Sequence, residues 1–258
     1  AAHNSGGIVI AQVRELVEHH QSLADIRVPG LLVDHVVVCE DPAEHQMTFG
    51  EAFNPAYVTA WRGARFTPES AAVDDAPTTP RKEGSGQATA VEARLIVQRR
   101  AVLELARRNP RVVNLGVGMP AAVGDLAHRA GLHGFTLTVE AGPVGGIPAD
   151  GLSFGASAYP EAVVDQPAQF DFYEGGGIDL AILGLAELDG AGNVNVSKFG
   201  TGAHASIAGV GGFINITQSA KAVVFMGTLT AGGLQLAVHD GQLRIVQEGR
   251  LQKIVPQV

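Results

Sequence analysis

The sequence predicts an α/β protein: an open, mostly parallel sheet with flanking helices, and an antiparallel hairpin near the C-terminus. Three observations carry this. Short β-branched runs alternate with a stretch of helical period after residue 89, the pattern of βαβ units. Glycine is abundant, 33 of 258 residues, and clusters at the ends of these runs, where tight turns are needed. Finally, Asp240-Gly241 stands between two alternating runs within Leu236–Val246, the two-residue turn that matches strand twist.

Composition bounds the rest. Hydrophobic residues make up 46% and charged ones 17%, and 258 residues suffice to bury a sizeable core. A formal charge of −8 argues against a nucleic-acid-binding surface, and no apolar run reaches the length of a membrane span. The start lacks the basic and apolar regions of a signal peptide, and the single Cys39 excludes an internal disulfide. A reducing compartment, the cytoplasm, is expected. The chain begins without Met, directly before an apolar run, and its last residues still read as strand. A piece of a longer polypeptide is expected.

In order, Ile8–Val13 reads as a buried strand, Val13–His20 as a short helix, Val28–Gly30 as a turn and Leu31–Val38 as a second strand. Residues 67–88 are rich in Pro, Ser, Thr, Gly and acidic groups and read as a linker or surface excursion, which places the domain boundary there. Thr89 and Glu92 have capping-box spacing before a helix with Val91, Leu95, Val102 and Leu105 on one face. Arg99, Arg100, Arg107 and Arg108 fall on or near its solvent side, and Asn109-Pro110 stops it. Arg111–Leu115 is the next strand, Gly116–Pro120 a glycine turn, Ala121–Ala130 a helix and Phe135–Val139 a strand ending in Glu140. A right-handed crossover sets the glycine turn and Glu140 on one edge of a parallel sheet. Ile178–Gly184 and Lys221–Gly227 read as further buried strands.

Four glycine clusters surround these strands: Gly116/Gly118, Gly142/Gly145/Gly146, Gly175–Gly177 and Gly209/Gly211/Gly212. Placed at strand boundaries, they suggest a site lined by backbone N–H groups, donors that suit phosphates or a developing oxyanion. Gly116-Val-Gly118 lacks the third glycine of a dinucleotide fingerprint. The nine histidines form no metal-ligand spacing, and no Gly-x-Ser-x-Gly elbow occurs. By elimination Glu140 is the best nucleophile candidate, set against the plainer reading of a strand-end carboxylate in a surface turn.

Four stretches resemble the β-type half of family I coenzyme A transferases: Val113-Asn-Leu-Gly116-Val-Gly118-Met-Pro120, Glu140-Ala-Gly-Pro-Val-Gly-Gly-Ile-Pro148, Asp165–Gly177 and Gly211-Gly-Phe-Ile-Asn-Ile-Thr-Gln218. The likeness is greatest to long single-chain acetate/propionate (short-chain acyl) enzymes. Ser5–Val13 and Val28–Asp34 resemble the end of the α-type half. The resemblance implies residues 1–66 from the α-type half, a linker at 67–88 and the β-type half over 89–258. It implies Glu140 as the nucleophile of a ping-pong transfer through a glutamyl-CoA thioester. Acyl-CoA and small carboxylic acids are then the substrates, with no metal and no tightly bound cofactor, in a homo-oligomer.

By the same resemblance Gly116, Val117, Gly118, Met119, Pro120, Gly175, Gly176, Gly177, Gly209, Gly211 and Gly212 line the coenzyme A channel. Lys221 either meets a phosphate or is plain surface, and Gln166 and Asn215 either position groups near the site or hold local structure. Without the rest of the α-type half, weak binding and poor turnover are expected of these residues alone. Two rivals stand beside this reading: a sugar-phosphate isomerase or lactonase of similar architecture, and a non-catalytic coenzyme A-binding subunit.

Overall fold

The structure, a computed structural model, describes residues 2–18, 22–23, 26–59, 89–199 and 206–258. The chain divides into two compact units, Ala1–Asn54 and Pro55–Val258. The linker expected at 67–88 lies outside the described residues.

In the first unit β1 (Ile10–Val13) and β2 (His35–Val38) pair in parallel, Ile10 opposite His35 and Val13 opposite Val38. The expected strands are therefore present but shorter, because Gly30–Leu32 winds into a 3-10 turn after Pro29. They are not buried: Ile10 is 62% and Val36 50% exposed. Nor does a helix follow Val13. Residues 14–18 are irregular, and His19 and His20 lie outside the described residues. A helix of two turns needs a packed face to offset its nucleation cost, and Leu16 and Val17 are exposed.

The second unit begins with a 3-10 turn at Pro55–Tyr57, and from residue 89 it holds β3 (Thr89–Val91), α1 (Ala93–Arg108), β4 (Val112–Leu115), α2 (Val123–Arg129) and β5 (Thr136–Thr138). There follow β6 (Pro143–Val144), β7 (Ile147–Pro148), β8 (Ser157–Ala158), β9 (Ala162–Val163), α3 (Gln166–Glu174) and β10 (Leu180–Gly184). Beyond them lie β11 (Glu187–Asp189), β12 (Val194–Asn195), β13 (Lys198–Phe199), β14 (Ser206–Ile207), α4 (Phe213–Ser219) and β15 (Val223–Met226). The last part holds β16 (Thr230–Ala231), β17 (Gln235–His239) and β18 (Gln242–Gln247), then short pairings at Leu251–Gln252 and Ile254–Val255.

Six strands form the central sheet in the order β15-β10-β4-β5-β6-β9. The first four are parallel, and β6 and β9 are antiparallel additions. Alternation along β10 shows how the layers close. Leu180 and Ile182 join a core with α1 and α2, through Ala101, Leu105, Val123 and Ala127. Ala181 and Leu183 join another with α3 and α4, through Tyr173 and Ile216. Covered on both faces, β10 is an almost unbroken buried run, as parallel strands in such sheets are. The edge strand β15, with one neighbour, is only half-buried over most of its length.

The N-terminal end of α1 departs from the sequence reading. Thr89–Val91 pairs with β17 instead of capping the helix, so its backbone groups belong to the sheet β18-β17-β3. The helix starts at Ala93 behind Glu92, without a side-chain cap. The rest of α1 is as expected: Val102 and Leu105 are buried, and Arg100 and Arg107 pair with Glu104 at 2.9 and 2.8 Å on the solvent side. Asn109 closes the helix in the left-handed conformation. The C-terminal hairpin turns at Asp240-Gly241, both at positive φ. Among the described residues no helix is long and apolar enough to cross a membrane, and no cluster of His, Cys, Asp and Glu could hold a metal ion.

Candidate active site

Glu140 sits where β5 reverses into β6. The Gly142 N–H donates to the Val139 carbonyl at 3.0 Å, closing a four-residue turn with Glu140 at its second position. The Gly145 N–H reaches the Leu137 carbonyl at 2.7 Å and fixes the hairpin behind it. Gly142 has φ +128, and a side chain there would collide with the Val164 carbonyl. The cluster Gly142/Gly145/Gly146 therefore shapes the turn, and none of the three is among the residues lining the cavities beside Glu140. Close approach of the Val164 and Ala158 carbonyls and of the Glu161 side chain accounts for them.

Two cavities meet at the carboxylate. The larger, about 400 Å³, lies beyond the C-terminal ends of β4 and β10, lined by Gly116, Val117 and Leu183–Ala186 together with Gly209, Gly211 and Gly212. Chain order reverses direction here, since β5 lies on one side of β4 and β10 on the other. Open α/β sheets bind ligands at such a switch point. The smaller cavity, about 370 Å³, is lined by Glu140, Gln166, Pro167, Phe170, Gly211, Gly212 and Asn215. It offers two amides and an apolar patch beside the carboxylate.

Gly212 is the N-cap of α4, and helix starts leave N–H groups without intrahelical partners. Its backbone N–H donates to the Glu140 carboxylate. Burial pushes the Glu140 pKa up, and this hydrogen bond, which favours the charged form, opposes the rise. A half-buried carboxylate with one backbone donor and cavities on two sides has the chemistry of either a nucleophile or an acid–base group toward a molecule held beside it.

The other expected residues divide. Gly116, Val117, Gly209, Gly211 and Gly212 share the larger cavity with Glu140. Gly118, Met119 and Pro120 are not among its lining residues. Their loop is drawn toward α1, where Arg94 donates to the Gly118 carbonyl and Gln98 to the Met119 carbonyl, both at 3.0 Å. Gly175, Gly176 and Gly177 lie before β10, at the sheet edge opposite Glu140. They terminate α3: the Gly176 N–H bonds the Tyr173 carbonyl at 2.9 Å with Gly176 at φ +82, and Phe172 fills the space where a Gly177 side chain would be. Lys221 is at that same edge, paired with Asp179 at 2.6 Å. The Gly209–Gly212 cluster leads into a helix where a strand boundary was expected. Gln166 and Asn215 line the smaller cavity, and Asn215 donates to Glu174.

Sequence reasoning passed over Phe154 and Phe213 of the larger cavity and Phe170 of the smaller one. It also passed over the buried polar residues Asn114, Thr138, Gln169 and Tyr173 beneath Glu140. The signal for the last two was present: Pro167 near the helix start, then Gln169 and Tyr173 four residues apart on one face.

No protein-family model matches the chain. Individual relatives do. The chain is 41% identical over 260 aligned residues to the acetate CoA-transferase YdiF of Escherichia coli O157:H7, covering 99% of this chain and 44% of that protein. It is 42% identical over 261 aligned residues to the caffeate CoA-transferase of Acetobacterium woodii, covering 100% of this chain and 46% of that protein. The apoenzyme crystal structure of E. coli O157:H7 YdiF superposes with a TM-score of 0.71 at 38% identity, over 99% of this chain and 43% of that one. Over its whole length the chain is homologous to part of these coenzyme A transferases. It spans less than half the length of these coenzyme A transferases. A second YdiF structure, a thioester complex with CoA, superposes with a TM-score of 0.70 over 97% of this chain and 42% of that one.

Proposed function

We propose that this chain carries the nucleophile of a coenzyme A transfer between an acyl-CoA and a free carboxylic acid, and that Glu140 is the covalent carrier. The observation that supports it most is the placement of Glu140 between two cavities with the Gly212 N–H on its carboxylate. A carboxylate oxygen attacks the thioester carbon, the C–S bond breaks, and coenzyme A leaves as the thiolate beside a mixed anhydride. The thiolate then attacks the glutamyl carbonyl carbon and expels the first acid as its carboxylate, leaving a glutamyl-CoA thioester. A second carboxylate attacks that thioester carbon and frees the thiolate. The thiolate takes the new acyl group from the anhydride, and Glu140 is regenerated.

Attack at the glutamyl carbon develops negative charge on its oxygen, and the Gly212 N–H is a donor to that group. One such donor contributes on the order of 100-fold in rate. In this reading the larger, glycine-lined cavity takes the thiol arm of coenzyme A and the smaller one the acid, whose carboxylate meets Gln166 and Asn215 while its chain lies on Pro167 and Phe170. The two exchanges share one site, so kinetics are ping-pong. The single cysteine supports a cytoplasmic setting.

The test is direct trapping. Full-length protein is incubated with acetyl-CoA or propionyl-CoA, treated with hydroxylamine and mapped by peptide mass. A hydroxamate at Glu140, absent from Glu140→Ala, is the expected result. Exchange of label between acyl-CoA and free acid in Glu140→Ala would overturn the assignment.

A further inference from the structure

A closed set of buried polar side chains lies directly beneath the Glu140 turn. Tyr173 is 0% exposed, Gln169 and Thr138 1%, and Asn114 2%. Asn114 and Thr138 are direct partners on the parallel strands β4 and β5, while Gln169 and Tyr173 are one turn apart on α3. The Tyr173 hydroxyl is the hub. It accepts from Asn114 Nδ2 at 3.1 Å and from Gln169 Nε2 at 3.0 Å, and also hydrogen-bonds the Thr138 side chain. The Thr138 hydroxyl donates onward to the Val113 carbonyl at 3.3 Å. Asn114 Nδ2 also reaches the Thr138 carbonyl at 3.3 Å.

The second contact of Gln169 Nε2 is the Val139 carbonyl, at 3.2 Å. That carbonyl also accepts the Gly142 N–H, so it is held from two directions, by the turn and by the helix. It belongs to the peptide group that joins Val139 to Glu140. Fixing its plane fixes the Glu140 N–H and constrains the Glu140 Cα.

We propose that Gln169, oriented by Tyr173 against Asn114 and Thr138, is a positioning residue that sets Glu140 by clamping the Val139 carbonyl. The proposal rests on the reading of Glu140 as the nucleophile. Four amphiprotic side chains in a site that Leu and Phe could fill are a costly arrangement, since each must remain satisfied. Here every amide N–H of Gln169 and Asn114 has a named acceptor. Burial raises the Tyr173 pKa and the Glu140 charge adds to the rise, so the hub stays a protonated hydroxyl. Displacing a reacting group by about 1 Å costs roughly 100-fold in rate, so a clamp one peptide away from the carboxylate acts on kcat.

The experiment compares Gln169→Leu, Tyr173→Phe, the double variant and Glu140→Ala in the full-length protein, measuring kcat, KM for each substrate and the thermal midpoint. Gln169→Leu and Tyr173→Phe should each lower kcat about 10- to 100-fold with KM within about twofold. The double variant should be no slower than Gln169→Leu, because Tyr173 acts through Gln169. A kcat within about twofold of the parent in both single variants, or losses that merely follow the fraction of folded protein, would overturn the clamp. If Gln169→Leu does not fold, Tyr173→Phe decides on the same criteria. Full turnover in Glu140→Ala would overturn the nucleophile assignment itself. An inactive Glu140→Ala beside two network variants of parental kcat would overturn only the positioning.

Discussion

The Gly212 N–H points at the Glu140 carboxylate, and a methyl group on the Gly212 Cα would fall on that carboxylate's Oε2. The same methyl would lie 2.5 Å from Phe170 Cζ. Gly212 has φ −80 and ψ 2, a conformation alanine accepts, so Gly212→Ala tests space alone. We expect kcat to fall about 100-fold or more from displacement of the proposed nucleophile. The overpacked ring should cost about 1–3 kcal/mol of stability. Steady-state kinetics beside thermal melting separates the two. Parental kcat in a folded variant would show that the contact imposes nothing.

Burial holds the Glu140 carboxyl above the usual glutamate range, so the folded state binds its proton more tightly than the unfolded chain does. Stability then falls as pH rises through the window from the unfolded value, about 4.3, to the raised folded value. Above the window the buried charge is a standing cost. Glu140→Gln should therefore melt higher than the parent at neutral pH, with the advantage vanishing below about pH 4. Melting curves across pH read this directly, and equal midpoints at neutral pH would refute it.

Asp179 behaves oppositely. The Lys221 ammonium at 2.6 Å, with the Arg111 and Val112 N–H groups at 2.9 and 3.1 Å, holds its pKa at about 2. Its contribution is complete above the unfolded value of about 4 and is lost as pH falls through about 2. Asp179→Asn should cost about 1–2 kcal/mol at pH 7, screening by water around the exposed lysine included. The difference from the parent should close in acid. Because the pair lies at the sheet edge away from Glu140, kcat should not change. A large kcat loss without loss of stability would contradict this.

Gly142→Ala should damage the hairpin. The position combines φ +128 with a carbonyl in the way of any side chain. Strain of that kind costs of order 1–3 kcal/mol before the collision is counted. Loss of cooperative unfolding, or a midpoint lower by many degrees, is the expected reading. A parental midpoint would mean that the turn has another conformation.

Much of this was legible in the sequence, for identifiable reasons. The strand Phe135–Val139 and the carboxylate that ends it are a local pattern, alternation followed by glycine, and local patterns survive folding. Gly116 could be grouped with Glu140 because a right-handed crossover forces the ends of parallel strands to one edge, whereas Gly212, at the start of a helix, was reached only through the clustering of glycines and the family resemblance. Gly175–Gly177 looked the same in one dimension, yet it precedes its strand and so lies at the other edge. The Thr89 reading fails because a capping signal four residues long says nothing about β17, which is more than a hundred residues away and takes the same backbone groups. The network under Glu140 was legible only in part, as the Gln169 and Tyr173 spacing on one helix face, for a related reason. Asn114, Thr138 and Gln169 become partners only when two strands and a helix are stacked.

Gly211 and Gly212 border both cavities at once. They are a party wall, and whatever thickens it narrows both rooms. If the smaller cavity holds the acid, as proposed, its width can be changed without touching the larger one at Pro167, which lines the smaller cavity alone and is not packed on the shared glycines. The two glycines are held still by having two tenants.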